Sequence, residues 1–270
     1  MILATHDKPF LPADLTGKFK AAGALGFDAM EVDGALLLGR FEDLLRARDS
    51  SGVGVVAACG GYRGWIGHFE EAKRLEACED LALMLRRVRA LGGSGVVAPA
   101  AWGMFSLRLP PMVPPRDEAS DRAALLDSLT RLEEAAEAGD SYLYLEPLNR
   151  YEDHMVNLLE TAAGYIEEGG FRRVRIAADF YHMNIEEARI EESLATHAAL
   201  VGHVHLADSH RYQPGDGHLD FLPGLRALKA AGYGGAFSIE CRVRGENPAE
   251  AYRASALHVR GLLSAAGFLS

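Results

Sequence analysis

Four residues of metal-binding type are spread along the second half of the chain, each at the end of a short β-prone segment. They are Glu146, Asp179, His205 and Glu240. Three carboxylates and one imidazole form an oxygen-rich set that suits Mn²⁺, Mg²⁺ or Co²⁺ better than a structural zinc. Carboxylates that converge in a protein interior need a cation or shared protons, because an unpaired buried charge is costly. The set therefore predicts one divalent metal site, with Mn²⁺ expected and Mg²⁺, Co²⁺ or Zn²⁺ as alternatives.

Strand alternation predicts where these side chains point, since successive residues of a strand face opposite sides of a sheet. In each of the four segments apolar residues occupy one face and the metal-binding residue lies on the other. The segments are Tyr142–Glu146, Val174–Asp179, Gly202–Leu206 and Phe237–Cys241. His203 shares the inner face with His205 one layer lower, and we expect it to be a core residue.

Short β-prone runs alternate with stretches of helical period along the whole chain. The predicted strands are 2–6, 29–34, 52–59, 95–100, 141–147, 174–180, 201–208 and 236–241, and the predicted helices are near 12–25, 41–49, 70–91, 117–138, 157–168, 185–199, 221–231 and 248–266. Eight such units suit the eightfold β/α barrel, which takes about 250 residues. An open doubly wound sheet would usually carry a Gly-rich loop after the first strand, where this chain has HDKPFLP (6–12). We predict an α/β fold, a single-domain (β/α)8 TIM barrel over residues 1–270.

Composition excludes several other classes of protein. The chain has 270 residues and a formal net charge of −10, which repels phosphate backbones and anionic lipid. The longest nearly apolar run, 95–105, is too short to span a membrane, and no secretory signal is visible. Three distant cysteines favour reduced thiols. We expect a cytoplasmic protein with neither a nucleic-acid nor a membrane partner.

One segment of the chain is rich in proline. The four prolines of residues 107–118 predict a stiff loop that forms a wall of the active site.

Several motifs resemble those of the sugar isomerase/epimerase superfamily with a xylose-isomerase-like barrel, above all its D-tagatose/D-psicose 3-epimerase-like ketose 3-epimerases. EPLNRYE (146–152) resembles that family's ExxNRxE segment and DFYH (179–182) its DxxH segment. HVHLADSHRYQPGDGHLDF (203–221) resembles its HxH…RxxPGxGxxDF segment, and 237–241 its last strand with a terminal Glu. The resemblance covers residues 140–242, whereas the first half matches only through LGFDAME (25–31) and CGGY (59–62).

The resemblance implies that Glu146, Asp179, His205 and Glu240 bind the metal. It also implies that three further residues contact the substrate, namely Glu152, His182 and Arg211. Epimerising a ketose requires removal of a proton beside the carbonyl, and a divalent ion can stabilise the resulting enediolate. Inversion needs a base on one face and an acid on the other, and Glu146 and Glu240 suit these two roles. The expected partner is a small polyhydroxy ketone, free or phosphorylated, and the superfamily implies a homodimer or homotetramer.

Alternatives remain open for the function and for single residues. A hydroxypyruvate isomerase or an inosose dehydratase would use much the same ligands. An endonuclease IV-type nuclease would need three zinc ions, more histidines and a basic groove, and a non-catalytic sugar-binding barrel would not need the pair of glutamates. Arg211 could instead form a loop salt bridge, His182 could start a helix, and Glu152 could be solvated. Five more residues near strand ends or on loops have undecided roles: His6, Glu31, Trp65, His68 and Trp102.

Overall fold

The computed structural model describes residues 1–107 and 112–269, and its eight parallel strands close into a barrel in sequence order. The strands are β1 (Leu3–Thr5), β2 (Ala29–Asp33), β3 (Gly54–Cys59), β4 (Gly95–Pro99), β5 (Tyr142–Glu146), β6 (Val174–Asp179), β7 (Val201–Leu206) and β8 (Phe237–Ile239). This confirms the predicted (β/α)8 barrel and all eight predicted strands. That the domain takes in every residue from 1 to 270 stays a prediction.

Helices surround the barrel. They are α1 (Leu15–Ala24), α2 (Gly34–Gly39), α3 (Phe41–Ser51), α4 (Glu71–Ala90), α5 (Glu118–Ala138), α6 (Leu159–Gly169), α7 (Phe180–Glu186), α8 (Ile190–His197), α9 (Leu222–Ala230) and α10 (Pro248–Ala265), with a 3₁₀ turn at Ala198–Leu200. The helix predicted near 185–199 is in fact the pair α7 and α8, because the backbone is extended at Glu187. None of the helices in the described ranges is long and apolar enough to cross a membrane.

Two helices begin directly after strands: α2 was missed by the helix prediction, and α7 begins earlier than predicted. Asp33 at the end of β2 accepts a hydrogen bond from the Ala35 N–H and so caps α2. Asp179 at the end of β6 caps α7 in the same way, through the N–H groups of Tyr181 and His182. A carboxylate at this position satisfies donors that the first helical turn leaves unpaired. The chain therefore turns from strand to helix without a connecting loop at both places.

Two apolar layers hold the barrel together. Side chains between strands and helices form the larger one, and a small inner core contains Ala4, Ala29, Ala57, Val97 and Ala177 around the ring of Tyr144. The small inner side chains leave room for that ring. Gly202 is tied to the same packing, since a Cβ there would lie 2.5 Å from Cε1 of Tyr144. The lower half of the barrel is thus filled, and only the carboxyl ends of the strands are left to build a site.

Extra residues interrupt the alternation of two strands. The pairing of β2 with β3 passes from Met30↔Val55 to Glu31↔Ala57, and that of β6 with β7 passes from Ile176↔Val201 to Ala177↔His203. Val56 and Gly202 are therefore additional residues of the β-bulge type. Cys59 faces the interior, as Val56 and Ala57 do, and His203 and His205 face it beyond Gly202.

The predicted proline-rich wall falls partly on residues 108–111, which lie outside the described residues. Arg116, close to its end, donates hydrogen bonds to the carbonyls of Gly67 and His68 and pairs with Asp121. The end of this segment is therefore attached to the loop that follows β3.

Candidate active site

The four predicted metal ligands come together at the carboxyl end of the barrel, with ligand atoms within 4.8 Å of one another. Nδ1 of His205 lies 2.8 Å from Oε1 of Glu146 and 3.0 Å from Oε2 of Glu240. Oδ2 of Asp179 is 3.8 Å from the same nitrogen. The Asp179 and His205 side chains have no exposed surface, and the Glu240 side chain keeps 24%. The ends of four consecutive strands thus build one polar cluster at the bottom of a cavity.

Arg211 belongs to the same cluster. Its guanidinium group donates to Oδ2 of Asp179 and, at 2.7 Å, to Oε2 of Glu240, and it lies over the ring of Tyr181. Arg211 has φ 65°, in the left-handed region that side chains other than glycine rarely adopt. Such backbone strain persists only where the surroundings impose it. The alternative reading of Arg211 as a loop residue in a salt bridge agrees with these contacts, and both of its partners are predicted metal ligands.

The loop that carries Arg211 is organised around the buried carboxylate of Asp208. This carboxylate accepts hydrogen bonds from the N–H groups of Ser209, Gly215 and Leu219 at 2.8, 2.9 and 3.1 Å. Burial alone would raise the pKa of Asp208, but the backbone donors outweigh burial and lower it. The Asp208 carbonyl accepts the N–H of Arg211 at 2.8 Å. One aspartate thus fixes the loop that turns Arg211 toward the ligands.

Glu31, one of the residues with an undecided role, supports His205 from the side opposite the ligands. Its buried carboxylate accepts from Nε2 of His205 at 3.0 Å and from Nε2 of His203 at 2.8 Å, and Nε2 of His6 is 3.3 Å away. A carboxylate on the second nitrogen of a ligand histidine fixes its tautomer and orientation. The sequence signal was the alternation in Ala29–Glu31, which places Glu31 on the inner face. His203 is buried against Tyr144, as expected for a core residue.

The two remaining predicted substrate residues are connected through Asn149. Nδ1 of His182 accepts from the Asn149 N–H at 3.0 Å and lies 2.9 Å from its Nδ2, so Nε2 is left to carry the proton. The Asn149 amide also donates to Oε1 of Glu152, and Oε2 of Glu152 accepts from Nε1 of Trp102 at 2.9 Å. Asn149 was part of the motif but was assigned no role. It holds His182 and Glu152 at the edge of one cavity.

This cavity has a volume of about 680 Å³ and opens at the carboxyl end of the barrel. Five of the seven predicted site residues line it, whereas Asp179 and His205 are buried beside it. Its lining comprises His6, Asp7, Lys8, Cys59, Gly60, Gly61, Trp65, Pro99, Trp102, Glu146, Leu148, Glu152, Tyr181, His182, His210, Arg211, Glu240, Cys241 and Arg242. Trp65, Trp102 and His6 therefore belong to the pocket. His68 does not, and its Nδ1 accepts from the Glu70 N–H instead.

The sequence of residues 19–262 matches the model of a family described as xylose isomerase-like TIM barrel. The chain belongs to this family. A 3-dehydro-D-guloside 4-epimerase from Escherichia coli is 46% identical over 96% of this chain and 99% of its own length. The crystal structure of a 3-keto-D-glucoside 4-epimerase from E. coli, also 46% identical, matches with a TM-score of 0.94 and covers 97% of this chain and 99% of that chain. A D-psicose 3-epimerase from Enterocloster bolteae is 30% identical over 84% of this chain and 77% of its own length.

These relatives confirm that the chain is an enzyme of the sugar isomerase and epimerase class. They also confirm the kinship with ketose 3-epimerases that the motifs predicted. They extend it, since the relative at 46% identity is named a 4-epimerase.

The donor set of this xylose isomerase-like barrel fits a divalent cation. Arg211 offsets one of the three carboxylate charges, and a divalent ion would offset the other two while His205 binds through a neutral nitrogen. Glu146, Asp179, His205 and Glu240 are the residues that would hold it. Two further groups of metal-binding type overlap with the first: one is His6, Cys59 and Glu240, and the other is His6, Glu31 and His205. Each of these two groups contains one carboxylate only, so the first, oxygen-rich group suits a hard cation better.

The two glutamates of the set differ in their affinity for a proton. Burial raises the pKa of Glu146 to about 7. Burial would also raise the pKa of Glu240, but Arg211 and His205 hold it well below its usual value. For His205, burial lowers the pKa, yet Glu31, Glu240 and Glu146 together raise it well above the ordinary value. Burial therefore decides the direction of the pKa shift of Glu146, whereas neighbouring charges decide it for Glu240 and His205.

Proposed function

We propose that this protein is a divalent-metal-dependent epimerase that inverts the carbon beside the ketone of a small keto sugar, with Glu146 and Glu240 as the two proton-transfer groups. The observation that carries the proposal is the arrangement of these two carboxylates. Both line the cavity, and one oxygen of each contacts Nδ1 of His205. Within residues 1–107 and 112–269, Oε2 of Glu146 and Oε1 of Glu240 have no hydrogen-bond partner. Each glutamate thus keeps one oxygen for the substrate.

The reaction requires removal of a proton from a carbon next to a carbonyl and its return on the opposite face. A divalent ion held by the four predicted ligands would supply positive charge that makes this proton more acidic. One glutamate takes the proton, and the other delivers a proton from the other side. Arg211 keeps Glu240 ionised and positioned, and Nε2 of His182 donates to a substrate hydroxyl. Glu152, held by Asn149 and Trp102, accepts from another hydroxyl.

The relatives support a 3-dehydro hexoside as the substrate, inverted at C4. In such a sugar C4 lies beside the C3 ketone, whereas in a 2-ketose C3 lies beside the C2 ketone, so the two reactions share their chemistry. The 4-epimerase matches almost the whole chain at 46% identity, against 30% for the D-psicose 3-epimerase. The cavity volume is within the range of about 300 to 1,000 Å³ that is usual for small-molecule sites. A glycoside is therefore the first substrate to try, and a free 2-ketose is the comparison.

The test is incubation of the Mn²⁺-loaded protein in D₂O with methyl 3-dehydro-D-glucoside and, separately, with 2-ketoses, followed by NMR. We expect an epimeric product with deuterium at the carbon beside the ketone. Glu146→Gln and Glu240→Gln should each lower turnover by about 10²- to 10⁴-fold, since each removes one proton-transfer group. Glu250→Gln, an exposed change on α10, is the matched control. Turnover retained in either active-site variant would contradict the two-glutamate mechanism, and an α,β-eliminated product would indicate a dehydratase.

Four finer statements belong to the same proposal. Mn²⁺ is the proposed ion, with Mg²⁺, Co²⁺ and Zn²⁺ as alternatives. To rank the four ions, turnover is measured after metal-free protein has been reloaded with each of them. We propose a cytoplasmic homodimer or homotetramer, which light scattering and cell fractionation test. The three cysteines are free thiols in the structure, in keeping with a reducing compartment. We propose no nucleic-acid partner, and binding of an abasic duplex at low salt would contradict this.

A further inference from the structure

Lys8 is a buried cation in the wall of the substrate cavity. It lies three residues after β1, has a relative exposure of 6%, and lines the cavity near Glu240 and Cys241. Its Nζ has neither a hydrogen-bond acceptor nor an ion-pair partner among the residues that the structure describes. The adjacent carboxylate, Asp7, pairs with Lys18 instead. Nζ of Lys8 lies 5.4 Å from the centre of the Tyr252 ring.

This arrangement is unfavourable for the fold alone. An ammonium group without a carboxylate partner loses hydration on burial, and a single aromatic face returns only part of that loss. Burial accordingly lowers the pKa of Lys8, although Cys241 and Glu240 act in the opposite direction. A methionine has a similar length and would avoid the cost. Charged groups that are poorly compensated in the free protein are characteristic of functional sites.

Two other charged groups of the cavity already have partners. Arg211 is bound to two carboxylates, and Glu152 accepts from Asn149 and Trp102. Arg242, which follows β8 and is exposed, forms no ion pair in the described ranges and adds a second positive charge to the lining. The loops after β1 and β8 therefore give this side of the cavity hydrogen-bond donors and positive charge. An electron-rich oxygen atom of a ligand would be complementary to it.

We propose that Lys8 forms an oxygen-binding subsite, in which its ammonium group donates hydrogen bonds to a hydroxyl or carboxylate oxygen of the sugar away from the reacting carbon. This inference rests on the proposed function, because it assumes a keto sugar in the cavity. It assigns Lys8 to substrate binding rather than to proton transfer. The subsite would orient the ring so that the carbon beside the ketone faces Glu146 and Glu240.

The test compares wild type with Lys8→Met in the metal-loaded enzyme. On methyl 3-dehydro-D-glucoside we expect KM to rise by about 10- to 100-fold, as for the loss of a hydrogen bond to a charged group, with a smaller change in kcat. The thermal midpoint should stay the same or rise, because an unpaired buried charge is removed. Lys8→Arg should recover part of the affinity. Lys20→Met, an exposed change on α1, is the matched control.

Two substrates distinguish the sources of the oxygen. If Lys8 binds a hydroxyl, Lys8→Met raises KM for the neutral glucoside and for its 6-carboxylate analogue by the same factor. If a carboxylate is bound, wild type prefers the analogue and Lys8→Met abolishes that preference. An unchanged KM on both substrates, or a lowered thermal midpoint with normal kinetics, overturns the inference. If wild type turns over neither of these sugars nor any 2-ketose, the proposed function fails. In that case, calorimetric titration with the two sugars tests whether Lys8 contributes to binding. Equal affinity in wild type and Lys8→Met, or no binding by wild type, overturns the proposed subsite.

Discussion

Replacing Glu31 by Gln tests whether this buried carboxylate governs the metal site through His205. Glu31 accepts from two histidine nitrogens at 2.8 and 3.0 Å and has no exposed side-chain surface. Glutamine has the same shape but only one acceptor oxygen, and its NH₂ group would face a second N–H donor. In either orientation the NH₂ group would lie against a histidine N–H, so at least one of the two hydrogen bonds must be weakened. The ring of His205 would also lose the partner that fixes its tautomer.

The expected size of the effect follows from these contacts. One hydrogen bond to a charged group contributes about 1.5 to 3 kcal/mol to stability. The free energy of unfolding of the variant should therefore be lower than that of wild type by about this amount. Loss of the carboxylate behind a ligand histidine typically weakens metal binding by about 10- to 100-fold. This corresponds to about 1.4 to 2.8 kcal/mol of binding free energy. The two effects should be separable, because one is read from unfolding and the other from binding.

The assay is calorimetric titration of metal-free Glu31→Gln with Mn²⁺, together with urea unfolding and turnover. His203→Gln is the control, since it removes the other partner of Glu31 and leaves the bond to His205. We expect the control to lose stability while its Mn²⁺ affinity stays within about threefold of wild type. If Glu31→Gln binds Mn²⁺ as tightly as wild type, the supporting role of Glu31 is refuted.

Three further predictions concern the loops and the metal. Asp208→Asn should lower stability by about 1.5 to 3 kcal/mol and reduce turnover, because Arg211 loses its support. The pKa of Asp208 is lowered in the folded protein, so its contribution is complete above about pH 4 and is lost as the pH falls through the folded value. The difference from wild type in urea unfolding should therefore shrink in acid. Trp102→Phe removes the N–H bound to Glu152 and should raise KM by about 2- to 10-fold, with kcat nearly unchanged in steady-state kinetics. Treatment with EDTA should abolish turnover, Mn²⁺ should restore it, and circular dichroism should show the barrel intact throughout.

Each of these predictions has an outcome that contradicts it. A constant stability difference between wild type and Asp208→Asn from pH 7 to pH 3 would show that the loop does not depend on the ionised carboxylate. If Trp102→Phe lowers kcat without changing KM, Glu152 acts in catalysis rather than in substrate binding. Full turnover after exhaustive EDTA treatment would exclude a metal requirement.

The sequence was sufficient to predict the barrel and the convergence of the four predicted metal ligands. Alternation within Tyr142–Glu146 places Glu146 on the inner face whatever the neighbouring strands do, and closure of eight parallel strands brings all such ends together. Each ligand is marked by its position in its own strand. Local patterns of this kind are short-range information, which a single sequence carries well.

The supporting residues could not be ranked in the same way. The role of Glu31 depends on contacts with His203 and His205, which lie 172 and 174 positions further along the chain. No local sequence pattern predicts contacts over that separation. The burial of Lys8 without a carboxylate likewise follows from the packing of β1 against β8. The early start of α7 was missed because Asp179 is both a predicted ligand and the helix cap.

The additional residue in β7 has a consequence for comparing sequences of related proteins. If Gly202 is absent from a relative, the strand alternates regularly from Val201. The equivalents of His203 and His205 then still face the interior of the barrel. A deletion at Val204 instead turns the equivalent of His205 toward the helices and empties one ligand position. Aligned relatives that keep the activity should therefore tolerate a gap at Gly202 and never one at Val204.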